Sequence, residues 1–135
     1  MFAIKAEITD IDARYWTFIE QKTMYGGRTV AQGDTIFVFA SENEGGSGLI
    51  AQGRVTVAKA IPKKPSIERQ APRVSISVEA TAKVKRRLGR SELKPYNNWN
   101  DGRPETELNF KFYRQATNKI IGISHETAAY LSTCF

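Results

Sequence analysis

Gln32-Gly33-Asp34-Thr35-Ile36-Phe37-Val38-Phe39-Ala40 is the stretch that most restricts the fold of this 135-residue chain. Its first three residues form a turn signal, because glycine and aspartate favour a change of chain direction. The six residues that follow carry no charge and are mostly β-branched or aromatic. A short run of this kind is typical of a strand that is buried on both faces. The sequence therefore predicts an interior strand over 35–40.

Alternating apolar and polar residues predict further strands on both sides of this stretch. Residues 2–8 alternate in this way, and a longer strand begins at Leu49, after the glycine-rich loop 43–48, and ends before Pro62. Two more alternating stretches lie at 74–80 and 108–113, and residues 119–123 are predicted as a short partner strand for the second, reached through a turn at 116–118. These patterns predict mostly buried side chains at Phe2, Ile4, Ile36, Val38, Val55, Val57, Ile76, Val78, Phe110 and Phe112.

Helical spacing predicts two helices. Apolar residues recur every three or four positions over 11–21, after a possible cap at Thr9. Ser124 is a candidate cap for a last helix, with His125 in its first turn. Regular alternation of strand and helix is absent, which argues against a doubly wound parallel sheet. We predict an α+β fold in a single domain spanning 1–135. It is a small, mostly antiparallel β-barrel of about six strands, with a helix after the first strand and a C-terminal helix.

Composition narrows the functional classes. The longest apolar run, 36–40, is far shorter than the roughly 20 residues of a membrane-spanning helix. The start of the chain lacks the basic and apolar regions of a secretory signal. Cys134 is the only cysteine and His125 the only histidine, so we expect neither a disulfide nor a metal site. We predict a cytoplasmic protein that needs no cofactor.

Positive charge is concentrated in one third of the chain. The segment from Lys59 to Lys94 holds eleven basic and three acidic residues, a net charge of +8, against +6 for the whole chain. If the fold gathers these residues on one face, they form a footprint for phosphates; otherwise they are a solvated surface. The candidate backbone-binding residues are Lys83, Lys85, Arg86, Arg87 and Arg90.

Aromatic residues supply a second candidate feature. Aromatic faces stack on nucleobases, and an arginine can contact a phosphate or a base edge. The irregular segment 85–106 is long for a compact domain, and it contains Tyr96 and Trp99. Trp16 is equally compatible with core packing and with a pocket wall. The candidate base pocket comprises Trp16, Tyr25, Gly26, Arg28 and Trp99.

Three segments resemble the PUA-like superfamily, especially its EVE branch and, as a second choice, its ASCH branch. Residues 32–39 resemble the family's glycine-aspartate turn and apolar strand, and residues 48–55 resemble the EVE strand after the loop. The region from Phe110 to Leu131 is similar to the closing strands and C-terminal helix of the family. The resemblance implies a nucleic-acid-binding module that holds a modified or flipped base, in DNA or RNA, in an aromatic pocket beside a basic surface.

Two other functions stay open. Some ASCH proteins are small amidohydrolases that act on modified nucleosides with a lysine, a threonine and a glutamate. The resemblance to that branch implies Lys22, Thr23 and Glu79 as the catalytic set. A lysine with a lowered pKa can activate a hydroxyl group as a nucleophile. The other alternative is an accessory domain that binds a protein. We favour binding over catalysis.

Overall fold

Six strands form a closed barrel in the computed structural model, which describes residues 1–62 and 72–135. The strands are β1 (Phe2–Ala6), β2 (Tyr15–Met24), β3 (Thr35–Ala40), β4 (Gly48–Ile61), β5 (Arg73–Lys83) and β6 (Lys119–Gly122). Their order around the barrel is β1-β3-β4-β5-β2-β6, closing back on β1. Four pairings are antiparallel, whereas β1/β3 and β2/β6 are parallel. The predicted mostly antiparallel barrel is confirmed.

The interior strand predicted over 35–40 is β3, with the predicted bounds. Its alternate side chains enter two separate hydrophobic cores, because successive residues of a strand point to opposite faces. Ile36 and Val38 pack inside the barrel. Phe37 and Phe39 point outward into a second core. That second core is covered by the helical segments of the C-terminal half of the chain.

Four helical segments cover this side of the barrel: α1 (Arg90–Leu93), α2 (Pro104–Leu108), a π-helical turn (Asn109–Tyr113) and α3 (His125–Ser132). The Ser124 hydroxyl accepts a hydrogen bond from the Thr127 amide at 3.1 Å, which confirms the predicted cap of the last helix. Cys134 is buried just beyond α3, and His125 is exposed. Among the described helices, none is long and apolar enough to cross a membrane.

The predicted helix over 11–21 is wrong, because most of this segment is the strand β2. Trp16 and Phe18 point into the barrel, while Tyr15 and Ile19 are exposed on its outer face. A separation of four residues places two side chains on the same face in a helix and in a strand alike. A bulge between Phe18 and Gln21 then interrupts the period-two pattern that would have identified the strand.

The predicted strand over 108–113 is also wrong, because these residues form the end of α2 and the π-helical turn. Leu108 and Phe112 are buried together one helical turn apart, whereas Phe110 is only half-buried. Pro104 occupies the first helical position, where proline favours the start of a helix. This signal predicts the structure better than the alternating apolar pattern of 108–113. The predicted burial of Val57 is wrong too. A bulge between Val55 and Val57 turns the Val57 side chain outward.

Candidate nucleic-acid interface

Three aromatic rings from distant parts of the sequence form a continuous surface cluster, Tyr25–Phe110–Trp99. The Tyr25 and Phe110 ring centroids lie 6.1 Å apart, and those of Trp99 and Phe110 lie 5.4 Å apart. Both pairs meet edge to face, a favourable arrangement for aromatic rings. Tyr25 and Trp99 are each 42% exposed. The cluster therefore presents aromatic faces to solvent instead of completing a core.

The backbone of Tyr25 is held in an unusual conformation where β2 ends. Its φ angle is +51°, in the left-handed region that costs a non-glycine residue roughly 1–3 kcal/mol. The Gly122 amide donates to the Tyr25 carbonyl oxygen at 3.1 Å. A Cβ on Gly27 would collide with the backbone of Ile120, so this turn needs glycine to lie so close to β6. Strand β6 thus fixes Tyr25 at the surface.

Phe110 lies in the π-helical turn, whose widened winding is seen in the hydrogen bond from the Arg114 amide to the Asn109 carbonyl at 3.0 Å. The buried Asn109 amide group also donates to the Tyr96 carbonyl at 3.0 Å. This bond ties the turn to the irregular segment that carries Trp99. Single π-helical turns occur often at functional sites.

Two depressions lie on either side of the Tyr25–Phe110–Trp99 cluster. The first, of about 240 Å³, is lined by Trp99, Gly102, Arg103, Thr106, Glu107, Phe110 and Lys111. The second, of about 210 Å³, is lined by Thr23, Met24, Tyr25, Gly26, Gly27, Arg28 and Pro72. The Lys111 Nζ lies 5.4 Å from the centroid of the Tyr25 ring. The contact between Lys111 and Tyr25 therefore connects the linings of the two depressions.

Glu107 anchors the first depression through four hydrogen bonds. Its carboxylate accepts from the Ser124 hydroxyl (2.6 Å) and amide (3.0 Å), the Thr127 hydroxyl (2.8 Å) and Lys111 Nζ (3.1 Å). Burial opposes ionisation, but these bonds favour the charged form and lower the pKa of Glu107 below its ordinary value. The network joins α2, the π-helical turn and α3, and so fixes their relative positions. These three segments form the helical wall of the site.

Two arginines add positive charge around the rings. The Arg114 guanidinium lies 4.8 Å from the Phe110 ring centroid and 5.9 Å from that of Trp99. Arg103 lines the first depression, and its backbone amide donates to Asp101 at 3.0 Å. Arg103 and Arg114 are both exposed. The cluster thus combines open aromatic faces with exposed cationic groups.

Four of the five residues predicted for a base pocket lie at this cluster. Tyr25, Gly26 and Arg28 line the second depression, and Trp99 lines the first. Trp16 lies elsewhere: its side chain is in the barrel core, and its indole donates to the Asp10 carbonyl at 2.9 Å. Trp16 and Tyr25 are near opposite ends of β2, roughly 20 to 30 Å apart at about 3.3 Å per residue. The structure does not bring Trp16 to the site.

The residues of the hydrolase alternative are not brought together. The Thr23 hydroxyl donates to the Pro72 carbonyl at 2.8 Å. Lys22 pairs with Arg73 at one end of β5, whereas Glu79 pairs with Tyr15 six residues further along that strand. That separation corresponds to roughly 20 Å. No single pocket can therefore use Lys22, Thr23 and Glu79 in this conformation.

The five predicted backbone-binding residues are all exposed, but their side chains contact different parts of the protein. Lys83 forms an ion pair with Asp12 at 2.8 Å, and Arg87 approaches Glu92 at 3.6 Å. Arg86 donates to Thr133 and Cys134, and Arg90 donates to Asn43. Lys85 has no side-chain partner among residues 1–62 and 72–135. Three other basic residues of the charged segment, Lys63, Lys64 and Arg69, lie outside the described residues.

Sequence reasoning missed most of the helical wall of the site. The sequence patterns predict Phe110 inside a strand and single out none of Arg103, Glu107, Lys111 and Arg114. Two signals were present in the sequence: a proline at the first helical position and acidic residues in the first turn of α2. Helical spacing then places Phe110 and Arg114 on one face, four residues apart.

Solved structures with a similar fold agree with this architecture. The DUF55 domain of human thymocyte nuclear protein 1 aligns with a TM-score of 0.63 and 16% identity, over 98% of this chain and 96% of that domain. A second structure of the human protein is in complex with 5-methylcytosine-containing DNA (TM-score 0.63, 16% identity, 98% and 95% coverage). A protein from Pseudomonas putida aligns with a TM-score of 0.62 and 15% identity, over 98% of this chain and 97% of that chain.

Sequence comparison adds no relative: neither a protein-family model nor a curated protein sequence matches the chain. The structural likeness, at 15–16% identity, is a likeness of fold. The closed six-strand mixed barrel with a few helices matches the fold of the DUF55 domain.

Proposed function

We propose that the chain is a nucleic-acid-binding module of the EVE type, which holds a base on the Tyr25–Phe110–Trp99 cluster. The observation that carries this proposal is the exposure of two large rings that both pack on a third. Stacking on a base would cover the exposed faces of Tyr25 and Trp99, and each stacked base contributes roughly 1–3 kcal/mol. A binding module needs neither a nucleophile nor a metal.

The charge around the cluster supports the same proposal. Arg28, Arg103 and Arg114 are exposed near the rings, and Lys111 lines the first depression beside the Tyr25 ring. Exposed cations can bind the phosphates of a single-stranded nucleic acid while the neighbouring aromatic faces stack on its bases. The basic residues from Lys83 to Arg90 would then contact phosphates further along the nucleic acid.

The base is either unpaired or turned out of a duplex, because neighbouring bases cover both faces of a base that stays stacked in a duplex. Turning a base out of a duplex costs a few kcal/mol, which stacking and hydrogen bonds at the pocket must offset. The human neighbour bound to 5-methylcytosine-containing DNA supports DNA with a modified base as the first ligand to test.

A fluorescence titration tests the proposal. Labelled single-stranded and duplex oligonucleotides of DNA and RNA, with and without 5-methylcytosine, are titrated with the full chain at several salt concentrations. We expect binding that weakens as salt rises and that tightens when a base is unpaired or modified. Undetectable binding to every probe at low salt would reject the proposal and would favour the protein-binding alternative.

A further inference from the structure

The first depression is lined by one carboxylate, that of Glu107, and a second, that of Asp101, is bonded to two of the lining residues. Glu107 accepts four hydrogen bonds, as described above. Asp101, at the rim, accepts one from the Arg103 amide and one from the Thr106 hydroxyl, both at 3.0 Å. These bonds lower the pKa of Asp101, so its carboxylate stays ionised. The four lone-pair sites of the Glu107 carboxylate are therefore all occupied, whereas Asp101 is not among the residues that line the depression.

The polar side chains of this depression that make no hydrogen bond within the described part of the protein are donors. Among the described residues, neither the Arg103 guanidinium nor the Trp99 indole nitrogen has a hydrogen-bond partner. Lys111 is engaged, because its Nζ donates to Glu107 at 3.1 Å and to the Gly122 carbonyl at 2.8 Å. A ligand that meets these side chains therefore finds aromatic faces and donors.

We propose that this depression selects a base with an acceptor edge, and guanine first, through the Arg103 guanidinium. This inference rests on the proposed function, since it requires a base to lie on the Phe110 and Trp99 rings. Guanine presents two neighbouring acceptors, O6 and N7, which match the two-pronged donor geometry of arginine. On the corresponding edge adenine keeps N7 but carries an amino group in place of O6. That amino donor would face a guanidinium, which accepts no hydrogen bond.

Four matched probes test the selectivity. Each is a labelled single-stranded DNA heptamer with one central base (guanine, adenine, cytosine or thymine) between abasic residues. All four carry the same phosphates, so differences in affinity report on the base alone. We expect the guanine heptamer to bind roughly tenfold more tightly than the adenine heptamer, within the range of a bidentate base contact. Thymine, with the single acceptor O4, is expected to lie between them.

Arg103→Lys is the diagnostic variant. Lysine keeps the positive charge but not the planar fork, so attraction to phosphates persists while the preference for guanine falls at least severalfold. The matched control is Arg54→Lys, at an exposed arginine on β4 that lines neither depression of the site. The control should keep the wild-type preference.

The outcomes separate this inference from the proposed function. Equal affinity of the wild-type protein for the four heptamers would overturn the inference and leave base stacking intact. A preference for guanine that survives in Arg103→Lys would overturn the role of Arg103. A failure of all four heptamers to bind at low salt would reject the proposed function and this inference together.

Discussion

The carbonyl oxygen of Tyr25 lies directly against Gly122, whose amide donates to it at 3.1 Å. A Cβ on Gly122 would be 2.5 Å from that oxygen, closer than such contacts occur. Strand β6 therefore sets the position of the tyrosine only because residue 122 has no side chain. This contact links the barrel to the aromatic cluster, and adding one methyl group at residue 122 would break it.

Gly122→Ala is expected to push the Tyr25 backbone away from β6. The clash should cost about 1–3 kcal/mol of unfolding free energy, measured by urea denaturation. Nucleic-acid affinity should fall toward that of Tyr25→Ala, because the ring leaves its place beside Phe110. Gly45→Ala is the control: it has a positive φ but open space around it, so it should lower stability without changing affinity. Unchanged affinity in Gly122→Ala would show that β6 does not position the ring.

Trp99→Ala and Tyr25→Ala should each weaken binding by roughly 1–3 kcal/mol through lost stacking. Neither change removes a charge, so the slope of log affinity against log salt should hardly change. Fluorescence titrations at four or more salt concentrations measure both quantities. Tyr15→Ala is a matched control, since Tyr15 is 57% exposed on the outer face of the barrel. A loss in the control as large as in Trp99→Ala would contradict stacking at the cluster.

Lys85 and Arg87 provide the test of phosphate contacts. Changing both to alanine should weaken binding to all sequences alike and make the salt slope shallower by about 2, because each is proposed to meet one phosphate. Arg86 is less suitable, since it is held by Thr133 and lies beside the Tyr130 ring. Arg54→Ala serves as the control for loss of an exposed positive charge. An unchanged slope in the double variant would mean that these residues form only a solvated surface.

Lys119 should make stability depend on pH. Burial, together with the neighbouring charges of Lys5 and Lys22, lowers the pKa of Lys119 to about 8 in the folded protein. The unfolded chain therefore binds more protons above that pH, so unfolding free energy should rise as pH increases. Between pH 7.5 and 9.5 the rise should be about 2 kcal/mol in the wild-type protein relative to Lys119→Met.

Urea denaturation at several pH values measures this difference. Lys59→Met, at an exposed position on β4, is the control and should leave the pH dependence of the wild-type protein in place. A constant difference between wild type and Lys119→Met across this range would show that Lys119 is charged to the same extent in both states.

Strand β3 could be predicted to the residue because both of its faces are buried, so every position from Ile36 to Ala40 is apolar. Strand β2 could not, since its outward face carries Tyr15 and Ile19 and its inward face carries Trp16 and Phe18. Over 15–19 only Thr17 is polar, so the apolar pattern has no clear period of two, and the bulge after Phe18 interrupts the pattern further along the strand.

In the site, too, the residues that are close in sequence could be predicted to lie together, whereas those joined only by packing could not. Tyr25, Gly26 and Arg28 are neighbours in sequence, so a shared location was predictable. Trp99 joins them only through Phe110, and that contact depends on a π-helical turn held by Asn109 and on the Glu107 network. These interactions connect α2, α3 and the loop before them. No periodicity in the sequence reports on such packing.

The pairing of β1 with β6 also affects how the protein folds. The register places Lys5 opposite Lys119, so the last pairing that closes the barrel joins residues more than a hundred positions apart. Most of the chain must be ordered before this contact gains anything, because loop-closure entropy is lost first. A topology dominated by such distant contacts is expected to fold in milliseconds to seconds rather than in microseconds. On a ribosome, Phe37 and Phe39 would lack their covering helices until α3 had emerged, which gives chaperones a reason to bind the nascent chain.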